Sequence, residues 1–359
     1  MTLVTKYVGG IAYLYFQDGI RKNNRNKTIT TYIGRADLPP EKMLDAKSRA
    51  LMSHYGKVHK YHAPLTYKTN YLKSEMEMLE KVKVLYTSVK TLVDTDEWEE
   101  AERNFYVSHV YGTTAIEGIT LTEKETAKVL EEDLTPQNKP VQDVVAVANY
   151  RNVREMLKDY RGPINEKLIL NIQSTLMYGM KNERGEPIPR GRYREKNVML
   201  KGYSFNPPDW STVKQQMRYA ILEYEQGMKE NNNPIELAAI FHQKFEEIHP
   251  FQDGNGRTGR EILNLMLRKA GFPPIYIKPE DRSLYITSLE EGNMGDHKPL
   301  VRFVLFRIIA TMMYMLSRTG IYKLLASPIL LQYAKEQKIT EFEEAIKGIK
   351  EFRDAEGPP

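Results

Sequence analysis

One twelve-residue stretch, His249–Arg260, constrains this chain more than any other part of its sequence. It reads His-Pro-Phe-Gln-Asp-Gly-Asn-Gly-Arg-Thr-Gly-Arg, so one histidine, one carboxylate, three glycines and two arginines occupy twelve positions. Apolar residues recur at helical spacing on both sides of it, from Leu237 to Ile248 and from Ile262 to Leu267. The pattern predicts a loop between two helices.

The residue types in this loop predict a binding site for a polyphosphate. Gly254, Asn255 and Gly256 tolerate positive φ, and successive N–H groups in such a turn can point into one concavity and bind an anion. The second helix begins at the same place, so its positive end faces the anion. Arg257 and Arg260 lie three positions apart on one helix face, and guanidinium groups suit phosphate oxygens.

Two further residues of the stretch predict reaction chemistry. Asp253 is a hard oxygen ligand suited to Mg²⁺ bound together with phosphates, and His249 can exchange a proton near neutral pH. Singly, each part is typical of a packed histidine, a turn or a solvated helix face, but the ordered combination favours function. A zinc site using His242, seven residues before His249, is disfavoured because the chain has no cysteine and no His-Glu-x-x-His. His242 is interpreted as a core histidine.

The ordered stretch resembles the signature of Fic-domain proteins, His-x-Phe-x-Asp-Gly-Asn-Gly-Arg-x-x-Arg, and matches it without departure. The resemblance implies a mainly α fold with a small β-hairpin flap, and transfer of AMP from ATP to a Ser, Thr or Tyr hydroxyl of a protein. It implies that His249 deprotonates the hydroxyl and that Asp253 holds Mg²⁺. The residues implied to bind the nucleotide phosphates are Gly254, Asn255, Gly256, Arg257, Thr258, Gly259 and Arg260.

A second pattern, Thr113-Thr114-Ala115-Ile116-Glu117-Gly118, closes a predicted helix over residues 97–118. Gly118 is a plausible C-terminal stop, and Thr113 and Glu117 share a helix face. Taken alone, Glu117 is typical of a solvated glutamate near a helix end. Self-inhibited Fic proteins carry (Ser/Thr)-x-x-x-Glu-(Gly/Asn) on such a helix, so the resemblance implies that Glu117 pairs with Arg260 and occupies the space of the γ-phosphate.

Two further segments match the family more weakly. The β-branched and aromatic residues of the segment 198–208 predict a hairpin. The resemblance implies that this hairpin is a flap, which binds the target segment as an added strand through Val198, Met199, Leu200 and Lys201. After Gly271, Tyr285, Ile286, Leu289 and Asn293 match a pattern that lines the adenine side. Gln173 departs from the family because many relatives have histidine there, at a position that is usually structural.

The rest of the chain predicts four segments. Residues 1–62 form a small β-rich domain, with one apolar run from Tyr7 to Phe16 and another from Thr28 to Ile33 in a hairpin pattern. Residues 63–96 are a linking helix, 97–318 the catalytic domain, and 319–359 a helical tail. The hairpin turn is basic over residues 21–27, which fits nucleic acid or an acidic partner, although a charge run is more often a solvated loop.

Composition limits the functional classes. There are 52 Lys and Arg against 47 Asp and Glu, and the net charge of +5 permits an anionic ligand but disfavours nucleic acid as a partner. The absence of cysteine excludes disulfides and thiolate chemistry. No apolar run is long enough to span a membrane and no signal-peptide pattern is visible, so we expect a cytoplasmic protein with no membrane partner.

The predicted function is therefore Mg²⁺-dependent AMP transfer to target proteins, including the chain itself, held down by Glu117. Two alternatives stay open: hydrolytic removal of AMP by the same site, and a nucleotide-sensing binding module. Homo-oligomer formation is left open.

Overall fold

The computed structural model describes residues 2–22, 25–59, 67–73, 75, 93, 95–182, 184–199 and 206–318. The chain divides into two compact units. One comprises Met1–Thr66, Ser74–Arg103 and Ile309–Pro359, and the other comprises Tyr67–Lys73 and Asn104–Ile308. The domain boundaries predicted at residues 62 and 96 remain predictions.

The first unit contains an antiparallel sheet of three strands in the order β1 (Thr2–Val8), β2 (Ile11–Lys22) and β3 (Arg25–Arg35). The predicted hairpin is present as β2 and β3. The sequence reading missed β1, because the run from Tyr7 to Phe16 was treated as one strand. Gly9 and Gly10 divide it, with φ of 57° and 80°, and positive φ at both turn residues suits a two-residue hairpin turn.

One face of the sheet packs on helix α1 (Pro40–His59), within the segment predicted as a small β-rich domain. The apolar residues buried in this unit include Phe16, Ile29, Ile33, Leu51 and Val58. His54 is buried with them and contacts the Thr31 hydroxyl at 3.0 Å and the Asp18 carboxylate at 3.2 Å.

Residues 67–73, which lie within the predicted linking helix over residues 63–96, are not helical. The buried Glu236 carboxylate accepts hydrogen bonds from the backbone N–H groups of Asn70, Tyr71 and Leu72, which holds this backbone outside a helix. Most of the remaining predicted helix lies outside the described residues, as do the C-terminal tail from residue 319 and residues 200–205 of the predicted flap.

The described part of the second unit is helical, which confirms the predicted mainly α fold. The sequence Thr122-Glu123-Lys124-Glu125 is typical of a capping box, and Thr122 and Glu125 form one at the start of the helix that begins at Glu123. The helices are α2 (Thr95–Ile116, which begins in the first unit), α3 (Glu123–Glu131), α4 (Val141–Lys158), α5 (Glu166–Leu176), α6 (Val213–Lys229), α7 (Pro234–Ile248), α8 (Asn255–Lys269), α9 (Arg282–Asn293) and α10 (Lys298–Ser317, which ends in the first unit).

Helix α8 is the buried centre of this unit, since every residue from Arg257 to Leu267 is buried, and it packs against α5 and α7. The twelve-residue stretch His249–Arg260 forms the loop between α7 and α8, residues 249–254, together with the first six residues of α8. In the described part of the chain, no helix is long and apolar enough to cross a membrane.

Candidate active site

The loop between α7 and α8 turns sharply at both ends. His249 ends α7 in the left-handed region, with φ 48° and ψ 61°, and Gly254 precedes α8 with φ 82°. The Asn255 side chain folds the loop onto itself: its Oδ1 accepts from Phe251 N–H and its Nδ2 donates to Phe251 O, both at 2.8 Å. Because both polar groups of that side chain are engaged, a phosphate contact from Asn255 would come from its backbone N–H.

Arg194 stabilises the turn at His249, a role that the sequence analysis did not predict. Its buried guanidinium donates from Nε to His249 O at 2.9 Å and from Nη2 to Pro208 O at 2.5 Å. It also donates from Nη1 to Lys196 O at 3.1 Å. The turn at His249 is thereby tied to both ends of the segment predicted as the flap.

His249 is a neutral imidazole with one nitrogen available as a base. Its Nδ1 lies 3.3 Å from Glu246 O, and since a carbonyl only accepts, Nδ1 carries the proton. Burial lowers the pKa of His249 to about 4, although the hydrogen bond to Glu246 and the negative charge of Glu117 oppose that shift. The Nε2 lone pair is therefore free across the neutral pH range.

Arg260 is held by helix α2. Its Nε donates to the Thr113 hydroxyl at 2.6 Å, and its Nη2 donates to Thr113 O at 2.9 Å and to Glu117 Oε1 at 2.6 Å. Burial would raise the pKa of Glu117, but the positive charges of Arg260 and Arg257 outweigh it, so the pKa is lowered. The carboxylate stays ionised and paired.

Gly256 makes this pair possible. A Cβ at this position would lie 2.3 Å from Glu117 Oε1 and 2.8 Å from Arg260 Nη1. Distances this short are repulsive, so the approach of Glu117 depends on the absence of a side chain on the first turn of α8.

A second buried pair joins the same two helices. His109 Nε2 lies 2.6 Å from Glu261 Oε1, and both side chains are 7% exposed. His109 is eight residues before Glu117, so the two contacts are about 12 Å apart along α2. Gly112, between them, lies so close to Ile277 that a Cβ would come within 2.4 Å of its carbonyl oxygen. The only sequence signal for this second pair is that His109, Thr113 and Glu117 recur every four residues and so share one face of α2.

The start of α8 presents unsatisfied donors. Arg257 is 5% exposed and donates from Nη2 to Asp253 Oδ1 at 3.2 Å. Its Nε and Nη1 are buried and have no hydrogen-bond partner among the described residues. The same is true of the Thr258 hydroxyl. Buried donors are normally paired, so their position at a helix N-terminus fits an anionic ligand.

Asp253 is placed to bind a metal ion only together with the phosphates of a bound molecule. Its side chain is 46% exposed at the mouth of the loop. Among the described residues, no group of three or more His, Asp or Glu side chains could hold a metal ion by itself. A single half-exposed carboxylate beside a phosphate site nevertheless suits Mg²⁺, which takes one or two carboxylates and completes its shell with phosphates and water.

One cavity brings together seven of the predicted site residues, namely Glu117, His249, Gly256, Arg260, Tyr285, Ile286 and Asn293, while Asp253 and Arg257 do not line it. Tyr285, Ile286 and Asn293, predicted for the adenine side, line it opposite the start of α8. Asn293 accepts from Gln243 Nε2 at 2.7 Å, while its own Nδ2 is buried without a partner among the described residues. The lining residues are Ile116, Glu117, Glu246, His249, Gly256, Arg260, Arg282, Tyr285, Ile286, Leu289, Glu290 and Asn293.

Glu246 is a second carboxyl group in this cavity, and the sequence reading missed it. It lies one helical turn before His249, and its Oε1 is buried without a partner in the described structure. Burial raises the pKa of Glu246 to about 8, with Arg260 opposing the shift and Glu117 adding to it. The group is therefore mostly protonated at neutral pH, beside an ionised Glu117.

His242 and Gln173 have the structural roles expected of them. His242 Nε2 lies 2.7 Å from the Tyr285 hydroxyl, and burial lowers the pKa of His242 to about 3. Gln173 is fully buried, donates to Asp253 O at 3.2 Å and accepts from Gly191 N–H at 2.8 Å. It thus supports the loop that carries Asp253.

Of the predicted flap residues, the structure describes Val198 and Met199, which are not in a strand, and Met199 is 88% exposed. Leu200 and Lys201 lie outside the described residues, so their role stays a prediction.

Comparison with known proteins identifies the family of this site. Residues 163–267 match the family model for the Fic/DOC family. The chain is 31% identical over 211 residues to the protein adenylyltransferase Fic of Drosophila ananassae, an alignment covering 57% of this chain and 40% of that protein. It is 32% identical over 233 residues to the protein adenylyltransferase Fic of Nematostella vectensis, covering 63% and 52%.

A solved structure of Fic-1 (residues 134–508) from C. elegans is similar with a TM-score of 0.59 and 27% identity, covering 77% of this chain and 82% of that one. The chain spans about half or less of the length of the two adenylyltransferases named above. Residues 163–267, which include α5 through most of α8 and the loop with His249, are therefore the part of the chain that matches the Fic/DOC family.

Proposed function

We propose that this protein transfers AMP from ATP to a hydroxyl side chain of a protein, and that Glu117 restrains the reaction by occupying Arg260. One observation carries the proposal: a neutral His249 lines the same cavity as Arg260, which is already paired with the carboxylate of Glu117. A site built only to sense a nucleotide has no need of a base. The similarity to proteins named adenylyltransferases supports the same reaction.

Nucleotide binding would use the start of α8. The backbone N–H groups of Asn255 and Gly256 at the start of α8, and the Nε and Nη1 of Arg257, would bind the phosphates, whereas the Gly254 N–H already donates to the Asp253 carboxylate. Asn293 Nδ2 offers a hydrogen bond on the opposite wall, beside Tyr285 and Ile286. Mg²⁺ held by Asp253 and the phosphates would supply positive charge to the leaving pyrophosphate.

In the chemical step, His249 Nε2 would take the proton of the target hydroxyl as its oxygen attacks the α-phosphorus. The bond from the α-phosphorus to the oxygen that bridges to the β-phosphate breaks, and pyrophosphate leaves with that electron pair. Residues of this chain contribute by alignment and by electrostatic stabilisation, which dominate phosphate-transfer catalysis. Arg194 would keep His249 in place through its bond to His249 O.

Inhibition would arise because one guanidinium cannot serve two anions fully. Glu117 Oε1 takes the Nη2 donor of Arg260 that the γ-phosphate would otherwise use. Thr113 holds the same guanidinium through two further bonds, which keep it aimed at α2. ATP would then bind, but with its terminal phosphate displaced from the productive position.

The test is mass spectrometry of the purified protein after incubation with ATP and Mg²⁺, for the parent, Glu117→Gly, and Glu117→Gly with His249→Ala. We expect AMP on the protein to be scarce in the parent, abundant in Glu117→Gly and absent from the double variant. Chelation of Mg²⁺ by EDTA should remove the gain. Equal labelling of single and double variants would rule out His249 as the base.

The reverse reaction has one supporting observation. Glu117 is one-third exposed and its charge acts on His249, so it could orient a water for hydrolytic removal of AMP. Loss of label from AMP-modified protein in the parent, abolished by Glu117→Gly, would assign that activity. Binding of ATP with neither labelling nor loss of label would favour a nucleotide sensor.

A further inference from the structure

Three side chains on successive turns of α7 lie at or next to the cavity of the active site. His242, Glu246 and His249 follow the spacing i, i+4, i+7, so they share one face of the helix. Glu246 and His249 line the cavity, and His242 lies behind Tyr285, whose hydroxyl it contacts at 2.7 Å. His249 is the proposed base and His242 is a core histidine, whereas Glu246 has no role in the proposed reaction.

Glu246 lies between the two ends of the cavity along α7. At a rise of about 1.5 Å per residue, it is about 4.5 Å from His249 along the helix axis. One turn further from His249, Gln243 donates to Asn293 at 2.7 Å on the wall predicted for adenine. The end at His249 would hold the α-phosphate and the end at Asn293 the base. Because the ribose joins these two groups in a nucleotide, it would lie over Glu246.

The carboxyl group of Glu246 is held in place and has an unused hydrogen-bonding atom. Its side chain is 13% exposed, and its Oε1 is buried without a partner among the described residues. The group packs against the backbone of α8, where a Cβ on Gly259 would lie 2.3 Å from Oε1. His242 Nδ1 is 3.9 Å away, which is too far for a hydrogen bond. Buried polar atoms are normally paired, so this oxygen in a cavity wall points to a polar group of the ligand.

The protonation state of Glu246 suits a hydroxyl group better than a phosphate. Its raised pKa leaves the carboxyl mostly protonated at neutral pH, so it can both donate and accept a hydrogen bond. A sugar hydroxyl also donates and accepts. Phosphate oxygens only accept, and the guanidinium groups of Arg257 and Arg260 suit them better. A neutral carboxyl also does not repel the phosphates that would bind nearby.

We propose that Glu246 binds a ribose hydroxyl of the nucleotide and so makes the site selective for an intact ribose. Gly259, which the sequence analysis assigned to phosphate binding, would serve by leaving room for this carboxyl against α8. The inference rests on the nucleotide binding that is part of the proposed function, but it does not require AMP transfer.

The test is isothermal titration calorimetry with ADP, 2′-deoxy-ADP and 3′-deoxy-ADP. ADP is chosen because it lacks the γ-phosphate that would compete with Glu117. For the parent protein, at least one deoxy analogue should bind about 10-fold more weakly than ADP, as expected for one lost hydrogen bond. Glu246→Gln should keep that ratio, because an amide still donates and accepts. Glu246→Leu should bring the ratio to within about twofold, because leucine does neither.

Glu247 provides the matched control on the same helix. It follows Glu246 directly but is not among the described residues that line the cavity, so Glu247→Leu should keep the ratio of the parent. Because two affinities are compared for each variant, a general change in fold or cavity charge cancels from the ratio. Circular dichroism checks folding, and Glu246→Ala replaces Glu246→Leu if leucine does not fit against α8.

Three results would overturn the inference. The parent could bind ADP and both deoxy analogues equally, the apolar variant of Glu246 could keep the ratio, or the Glu247 control could lose it to the same extent. AMP transfer is followed separately by mass spectrometry. Transfer with equal binding of the three nucleotides would remove this inference and leave the proposed function, whereas a ratio that depends on Glu246 without transfer would do the reverse.

Discussion

The charge of Glu117 should set the affinity of this site for ATP. In the substitution Glu117→Gln the side chain keeps its size but loses its charge. Arg260 Nη2 donates to Glu117 Oε1 at 2.6 Å, and a charge-assisted hydrogen bond contributes about 1.5–3 kcal/mol. Because one-third of the Glu117 side chain is exposed, solvent screening places the value in the lower half of that range.

At about 1.4 kcal/mol for each factor of ten, removing the charge should tighten ATP binding by about 10-fold. Isothermal titration calorimetry with a non-hydrolysable ATP analogue measures this directly. AMP is the matched ligand control, because it lacks the β- and γ-phosphates that would compete with Glu117, and its affinity should change little. Glu290→Gln is the matched protein control, since Glu290 lines the same cavity but is not the hydrogen-bond partner of Arg260.

Equal tightening in Glu117→Gln and Glu290→Gln would show a general effect of cavity charge and would refute the reasoning from the ion pair. Unchanged ATP affinity in Glu117→Gln would show that the carboxylate does not compete with phosphate. In labelling assays, adding Arg260→Ala to Glu117→Gly should reverse the gain in activity, because the freed guanidinium is then missing.

Three more predictions concern His249, Glu246 and the buried pair of His109 with Glu261. His249→Ala should lower the rate of AMP transfer by about 10²–10⁴ while ATP affinity is retained. Because the pKa of His249 is about 4, the steady-state labelling rate of the parent protein should stay constant from pH 8 down to about pH 5. ATP affinity measured by calorimetry should fall above about pH 8, where Glu246 ionises beside the phosphates, and Glu246→Gln should abolish that fall. His109→Leu should destabilise the protein by about 3–5 kcal/mol in urea unfolding, because it leaves the Glu261 carboxylate buried and unpaired, and Glu261→Leu added to it should restore part of the loss.

Local sequence patterns predicted much of the helical fold because the interactions that form these elements are local. The capping box at Thr122, the stop at Gly118 and the helices on both sides of His249 each depend on residues within a few positions of one another. The division of the first strand at Gly9-Gly10 was equally local, and a two-glycine turn could have been read from the sequence. The non-helical backbone at residues 71–73 could not have been predicted from local sequence, because the Glu236 carboxylate that holds it lies more than 160 positions later.

The sequence by itself determined which chemical groups the site contains, since one short stretch carries His249, Asp253 and the backbone amides that are proposed as the base, the metal ligand and the phosphate-binding groups. Only the tertiary structure decided which partner each group has. It turned the Asn255 side chain inward onto Phe251, left two nitrogens of Arg257 without a hydrogen-bond partner among the described residues, and placed Glu246 beside Glu117 with a raised pKa. The pairing of Glu117 with Arg260 joins residues 143 positions apart, and it forms because the end of α2 reaches the first turn of α8 where Gly256 has no side chain. Burial and packing of this kind depend on residues distant in sequence, which is why no local pattern could supply them.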